Sequence, residues 1–387
     1  NSIRVDELKK NFDRTNEINS SVLKEMVKKN LYVTNEAINL KDCNIFIVTV
    51  PTPVNKNKKP DFGPLLHACK TIGLNLKSGS IIIFESTVYP GVTEDICGKE
   101  LQKNSGLTRG KDFFLGYSPE RINPGDKVHT VEKISKVIAA ENLKVTKVLE
   151  EIYSKLTKGC VFKAKNIKVA EASKVIENAQ RDINIAFINE VAKICQKLKI
   201  SIYDVLDASS TKWNFLPFYP GLVGGHCIGV DPFYLADVAK KIGIKPQVIL
   251  SGRKINDDMS KFIFKEIDSK IKKVSNILVL GLTFKANVPD IRNSKVIDLV
   301  RHFSKKKHNV IVCDPLINER KVEEIYMTSF CDLKKSSFDL VILAVPHTFF
   351  LTEKKLKIEE LINNSGLVAD LTGSWRNNKN LKNYWCL

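Results

Sequence analysis

At 387 residues, with 43% hydrophobic and 27% charged side chains, the chain has the make-up of a globular protein of two or three domains. Its longest apolar runs, Ile277 to Leu282 and Leu340 to Val345, are far too short to span a bilayer, so no membrane partner is expected. The net charge of +18 invites a nucleic-acid reading, but 51 of the 61 basic residues are lysines scattered along the chain. A groove reader gathers Arg and Lys on one element, so no nucleic-acid partner is expected. A positive field instead draws polyanionic small molecules such as nucleotides. Nine cysteines, odd in number and without a CxxC pair, point to reduced thiols in the cytoplasm, and no metal-ligand spacing is present.

In chain order, Asn1 to Leu8 reads as a helix. Up to about Lys165, short β-rich runs then alternate with helical patterns: Ile45 to Val50, Ile81 to Glu85, Phe113 to Tyr117 and Lys136 to Ala139. That is the rhythm of a parallel sheet wound with helices. From Ile167 to Leu198 apolar residues recur at helical spacing, predicting a helix long enough to connect domains or to form a dimer contact. Helical text continues to about Asp268. The strand rhythm restarts near Val274, with Asn276 to Gly281, Asn309 to Cys313, Leu340 to Val345 and Leu367 to Leu371 as strands and Ser294 to Lys306 as a helix. The predicted fold is therefore α/β, with two Rossmann-like parallel-sheet domains joined by a long central helix. Its segments are 1–165, 166–270 and 271–387. A dinucleotide-binding domain normally opens with a strand, a GxGxxG turn, a helix and a second strand ending in an acidic residue. Here the chain begins with what reads as the helix after that second strand, so the first strand-turn-helix is absent from it.

Gly224-Gly225-His226-Cys227-Ile228-Gly229-Val230-Asp231-Pro232 places a thiol in a glycine turn with a carboxylate four residues later. Glycines admit a close backbone approach to a ligand. A Cys beside a carboxylate can form and then hydrolyse a covalent adduct with a carbonyl. The plainer alternative is a buried Cys next to a helix start with Asp231 as N-cap. Lys174 and Asn178, four apart on a helix, share a face; by themselves they read as a polar helix face in solvent. Thr87 and Glu120 follow apolar strands at their carboxyl ends, where α/β sheets bind ligands, although a Glu in a surface loop is unexceptional. His67, His129, His302, His308 and His347 show no metal or triad spacing, and Cys43, Cys195 and Cys313 read as core filler.

The larger pattern lies in several motifs in fixed order: Val50-Pro51-Thr52-Pro53, Glu85-Ser86-Thr87-Val88-Tyr89-Pro90-Gly91 and Ser118-Pro119-Glu120-Arg121-Ile122-Asn123-Pro124-Gly125. Lys174 with Asn178, Pro220-Gly221-Leu222-Val223-Gly224-Gly225-His226-Cys227, Gly281-Leu282-Thr283-Phe284-Lys285 and Asp290-Ile291-Arg292-Asn293-Ser294 complete the set. Together they resemble the UDP-glucose/GDP-mannose dehydrogenase superfamily. The wording VGGHCIGVDP is similar to the bacterial branch that oxidises UDP-N-acetylhexosamines for capsule or O-antigen synthesis, and differs from the GGSCFPKD of the UDP-glucose branch.

The resemblance implies an NAD-dependent enzyme that takes a sugar C6 alcohol through an aldehyde to a carboxylate by two hydride transfers. In that scheme Cys227 captures the aldehyde as a thiohemiacetal and then carries a thioester. Lys174 and Asn178 stabilise the oxyanion, Asp231 orients the water or acts as a base with Thr87 beside it, and Glu120 is the general base for thioester hydrolysis. The implied cofactor contacts are Arg4, Val50, Pro51, Thr52, Ser86, Thr87 and Arg292. The implied substrate contacts are Glu120, Arg121, Ile122, Asn123, Lys174, Asn178, Tyr219, Gly224 and Lys285, with Arg253 reaching in from a neighbouring subunit of a homodimer. Relative to the family pattern the front is missing, which implies a piece of a longer protein with a weakened hold on NAD. Two rivals follow. One is a truncated protein that binds UDP-sugar without turnover; the other is a two-electron dehydrogenase of the 6-phosphogluconate type, which has no need of Cys227. UDP-glucose and UDP-N-acetylmannosamine stand as alternative substrates.

Overall fold

The computed structural model describes residues 1–15, 18–123, 126, 128–271, 274–318, 320–333, 337–352 and 357–387; Pro124 and Gly125 of the Ser118–Gly125 motif lie outside them. The chain divides into two compact units, residues 1–52 with 61–174, and residues 53–60 with 175–387.

The first unit opens with α1 (Ser2–Lys9), capped by the Asn1 side chain accepting from the Arg4 N–H, and α2 (Ser20–Lys29). Then follow β1 (Ile45–Val48), α3 (Gly63–Gly73), β2 (Ser80–Phe84), α4 (Gly98–Ser105), β3 (Phe113–Tyr117), β4 (Lys136–Ala140), α5 (Leu143–Leu156) and β5 (Val161–Lys163). The sheet order is β1-β2-β3-β4-β5. β2 is buried along its whole length, which is why it reads as an unbroken apolar run. α5 starts at the Asn142 cap and buries Val145, Leu149 and Tyr153, one face at helical spacing. Leu149 presses so close to Gly116 on β3 that a Cβ there would meet its Cδ2 at 2.8 Å. The expected parallel pairing holds for β1·β2, β2·β3 and β4·β5, but β3·β4 runs antiparallel. A parallel return needs a crossover, usually a helix, and none occurs among the described residues between β3 and β4.

α6 (Ile167–Leu198) is the predicted long helix, and the division between the units falls within it. The second unit adds α7 (Ile202–Ser209), α8 (Asp231–Lys241), α9 (Gln247–Asp257), α10 (Met259–Asp268), β6 (Asn276–Leu280), α11 (Lys295–Lys305) and β7 (Asn309–Cys313). The short hairpin β8 (Lys321–Val322) and β9 (Ile325–Tyr326) precedes β10 (Phe338–Leu343), α12 (Thr348–Thr352), α13 (Ile358–Leu361), β11 (Ile362–Asp370) and β12 (Tyr384–Cys386). Its main sheet is parallel throughout, in the order β12-β11-β10-β6-β7. Ile277 and Val279 of β6 pack into one core with Ile263, Val300 and Phe303, whereas Leu278 and Leu280 face a second core with Val341, Leu343 and Val368. Both faces are covered, as the continuous hydrophobic text requires. β6 lies between β7 and β10, so the connections leave it in opposite directions and create a switch point at its carboxyl end, where open α/β sheets bind ligands.

The hairpin and the short strands β5 and β12 carry too few residues for a period to show. Cys195 and Cys313 are buried as expected, but Cys43 is half-buried in the loop before β1 and is not core filler. Among the described residues no helix is long and apolar enough to cross a membrane, and no His, Cys, Asp and Glu group could hold a metal ion.

Candidate active site

In the second unit, Cys227 sits half-buried in the turn that leads into α8, and its carbonyl accepts the N–H groups of Val230 and Asp231. The two glycines before it are packing glycines. A Cβ on Gly224 would meet the Asn293 carbonyl at 2.7 Å, and Gly225, at φ +81°, would meet the Phe284 ring at 2.9 Å. The Gly225 N–H donates to Arg292 O and its carbonyl accepts from Asn293 Nδ2, so the thiol turn is bound to the loop that carries Arg292. Asp231 is not the helix N-cap. That place is taken by Val230 without a side-chain bond, and Asp231 is buried as the first helical residue. Its Oδ2 accepts from Asn178 Nδ2 of α6 at 2.5 Å. A carboxylate spent on capping would have faced the α8 N–H groups; this one faces the α6 amide.

Arg292 is paired with Asp290 at 2.6 Å. That hydrogen bond is the main reason its guanidinium is held above the ordinary arginine value, with a smaller electrostatic contribution from Cys227. Burial pushes the Asp290 carboxyl up, but the bonds from Arg292 outweigh it and leave the group below its ordinary value. At the β6 switch point lies a cavity of about 340 Å³ lined by Tyr219, Gly224, Thr283, Phe284, Lys285, Ser294, Lys295, Ala344 and Thr372. It reaches Ser294, which caps α11, and a helix N-terminus is a favourable place for an anion.

Sequence reasoning missed what braces this wall. Asp314, at the end of β7, accepts the N–H groups of Leu282 and Thr283 at 2.7 and 3.1 Å. The His347 Nε2 lies 3.1 Å from the same carboxylate oxygen and 3.0 Å from the Thr283 hydroxyl. Thr283 in turn donates to the Lys285 carbonyl. The signal was present: an acidic residue ending the second strand of an α/β domain, here turned inward to brace the Lys285 loop. Arg253, expected to contact substrate from a neighbouring subunit, is 2% exposed in its own unit. Its guanidinium bonds Asp182 at 2.5 Å and Asp257 at 2.6 Å. Two carboxylates draw it inward and leave no exposed face.

In the first unit, Val50, Pro51, Thr52, Ser86 and Thr87, expected at the cofactor, lie on two loops at the carboxyl ends of β1 and β2, whereas Arg4 lies on α1. The Ser86 hydroxyl donates to the Val50 carbonyl at 2.6 Å and thereby ties Val50-Pro51-Thr52 to Ser86-Thr87. Arg4 bonds the buried Asp13 at 2.6 Å. Glu120 leaves the end of β3 half-buried; its Oε1 accepts the Ile122 N–H at 2.5 Å, and Oε2 lies 3.5 Å from Lys136 Nζ. Arg121 donates to the Ser135 carbonyl at 3.0 Å, and Asn123 donates to Asp126 at 3.4 Å. Lys174 is 8% exposed on α6.

One turn before Lys174, the fully buried Glu171 accepts the Gly91 N–H at 2.6 Å and the Thr93 N–H at 2.8 Å, fixing α6 to the loop that carries Thr87. Burial pushes its carboxyl up to about 7 despite those bonds. From the ordinary value of 4.5 up to about 7, the folded chain holds a proton that the unfolded chain has lost. Stability therefore falls as pH rises through that window and levels off above it, by about 3 kcal/mol from this group. Glu171→Gln should flatten that fall in denaturant titrations at about pH 5 and about pH 8. An unchanged slope in the variant would assign the pH dependence to other groups.

Comparison with known proteins covers the chain from end to end. Residues 1–157 match the NAD binding domain of the UDP-glucose/GDP-mannose dehydrogenase family, residues 168–258 its central domain and residues 278–377 its UDP binding domain. The chain is 47% identical over 380 residues to Protein CapL of Staphylococcus aureus, covering 96% of this chain and 89% of that one. It is 45% identical over 357 residues to a UDP-N-acetyl-D-glucosamine 6-dehydrogenase of Salmonella typhi, covering 90% and 84%. Among solved structures, a UDP-D-ManNAc dehydrogenase from Pyrococcus horikoshii is similar with a TM-score of 0.85 at 27% identity, covering 99% of this chain and 91% of that one. The chain belongs to the UDP-glucose/GDP-mannose dehydrogenase family, whose members are NAD-dependent oxidoreductases.

Proposed function

We propose that this chain oxidises the C6 alcohol of a UDP-N-acetylhexosamine to the uronic acid in the cytoplasm, as a step toward a surface polysaccharide. The observation that carries the reading is the Cys227 turn, held by the Arg292 loop and followed by a buried carboxylate bonded to Asn178. A simple two-electron dehydrogenase has no use for that arrangement. The relatives named as UDP-N-acetyl-D-glucosamine 6-dehydrogenases support the substrate class.

The donor set fits a dinucleotide. Thr52 and Thr87 stand at half-buried positions on the clamped loops, and the Arg4 guanidinium is held beside Glu7 and Asp13 at 3.5 and 2.6 Å. Val50, Pro51, Thr52, Ser86 and Thr87 would hold it, with Arg4 and Arg292 at its anionic groups. When bound, NAD supplies the hydride acceptor for both oxidations of C6.

The chain's own residues do the rest. The Cys227 thiolate attacks the aldehyde carbon, and its sulfur remains bound to that carbon as the thioester. Lys174 and the Asn178 amide donate to the sugar oxygen as its negative charge develops, a contribution of about 3 kcal/mol for a single such donor. Asp231 holds Asn178 in place and orients the hydrolytic water with Thr87. Glu120 takes that water's proton. Tyr219, Gly224 and Lys285 line the uridine diphosphate cavity, and Arg121, Ile122 and Asn123 hold the sugar. A homodimer is supported by Ile176, Phe187, Ile194 and Leu198, which are 53–63% exposed in one stripe along α6. The free thiols of all nine cysteines support the cytoplasmic location.

Stoichiometry tests the reaction class. UDP-N-acetyl-D-glucosamine should yield two NADH per sugar, with no free aldehyde captured by a hydrazine probe. One NADH and a released carbonyl product would establish the two-electron alternative. Binding of the nucleotide sugar without NADH would establish the binding protein.

A further inference from the structure

Lys136 is an anomaly that the reaction scheme leaves unused. It opens β4, yet its side chain is only 1% exposed. A lone ammonium so placed would cost several kcal/mol of desolvation. It is compensated by two carboxylates: Lys136 Nζ lies 3.2 Å from Glu85 Oε2 and 3.5 Å from Glu120 Oε2. The ammonium also stands 5.4 Å from the centre of the Tyr153 ring. The Tyr153 hydroxyl donates to Glu85 Oε1, so both oxygens of Glu85 are engaged within the cluster. Burial, then the charge of Glu85, pushes the Tyr153 hydroxyl well above its ordinary value, which keeps it a donor. Glu120 differs from Glu85 in being half-exposed, with one oxygen on Lys136 and the other on the Ile122 N–H.

We propose that Lys136 is a positioning residue for Glu120, holding the carboxylate of the thioester-cleaving base in place through a buried bridge from Glu85. The proposal rests on the base role given to Glu120 above. In that step water attacks the thioester carbon, its proton passes to Glu120, the carbon–sulfur bond breaks and the Cys227 thiolate leaves as the uronic acid forms. The groups facing Glu120 are Lys136 from β4, Glu85 beyond β2 and, behind them, Tyr153 from α5; Arg121, next to it in sequence, is turned to the Ser135 carbonyl. Without the ammonium, Glu120 would stand beside the like charge of Glu85, a pairing that disfavours its ionised form.

The test measures thioester hydrolysis across pH on the full chain with UDP-N-acetyl-D-glucosamine and NAD, and follows the Cys227 adduct by intact-protein mass. Glu120→Gln should trap the adduct. Lys136→Met should move the acid limb of hydrolysis to higher pH by about one pH unit, with KM unchanged. Lys136→Arg should restore the wild-type limb, because it keeps the cation. If Lys136→Met fails to fold by circular dichroism, Glu85→Gln with Lys136→Met removes both charges and should return the acid limb to its wild-type pH while slowing hydrolysis on the plateau, because the carboxylate is no longer held in place. Adduct trapped by Glu120→Gln together with wild-type profiles in the folded Lys136 variants would overturn the proposal alone. Free turnover by Glu120→Gln would overturn the base role, and the Lys136 proposal with it.

Discussion

Cys227→Ser is expected to stop formation of the uronic acid, lowering turnover on the order of 10³–10⁶-fold, as loss of a covalent nucleophile does elsewhere. A serine hydroxyl is far less ionised than a thiol at neutral pH and is the weaker nucleophile. The turn itself should survive. Its hydrogen bonds run through backbone groups of Gly225, Cys227, Val230 and Asp231, and Ser replaces Cys at similar volume. The variant should therefore bind the nucleotide sugar with little change in affinity. The measurement is NADH released per UDP-N-acetyl-D-glucosamine, with intact-protein mass to detect an ester on residue 227. Wild-type acid formation by the serine variant would remove Cys227 from the mechanism.

The largest effect on stability is expected from Asp182→Ala. Asp182 is fully buried on α6, and its Oδ1 accepts from Arg253 Nη1 at 2.5 Å and Asn256 Nδ2 at 2.7 Å. Arginine cannot shed its charge, so the truncation leaves a buried guanidinium with Asp257 as its remaining carboxylate. Asp257 is already shared with Lys58 at 2.7 Å and Lys295 at 3.3 Å. Breaking a buried pair from one side costs about 3–5 kcal/mol, whereas replacing both partners by apolar residues of similar volume is often close to neutral. Asp182→Leu with Arg253→Met should accordingly recover most of what Asp182→Ala loses. Urea unfolding of the full chain gives both numbers. A loss below about 1 kcal/mol in the single variant would show that the pair does little for the fold.

Much of the architecture was legible because burial on both faces of a parallel sheet leaves its mark in local text. The runs at β2, β6, β7 and β10 each carry four or more apolar residues within five or six positions, and the 32-residue α6 shows its period over many turns. The direction of β4 was not legible, since a strand has the same alternation whichever way it runs. Glycines 224 and 225 read as ligand-facing, and Gly224 does line the cavity, but what makes both positions glycine is the Phe284 side chain and, for Gly224, the Asn293–Ser294 backbone, some sixty to seventy positions on. The burial of Arg253 was not legible either: the Asp182 carboxylate that holds it sits on another helix.

By itself, then, the sequence determined the α/β class, the long helix and which residue types stand at the ends of which strands. Each of these follows from the spacing of neighbours along one chain segment. The partners of the charged groups were decided only by the tertiary structure. Lys136 meets Glu85, Glu120 and Tyr153, residues drawn from three other segments, and Asp231 meets Asn178 from a helix far upstream. A lysine opening a strand reads as solvated from its neighbours in sequence. Whether it is buried, and which carboxylate then neutralises it, depends on groups that come together only when the sheet closes and excludes water.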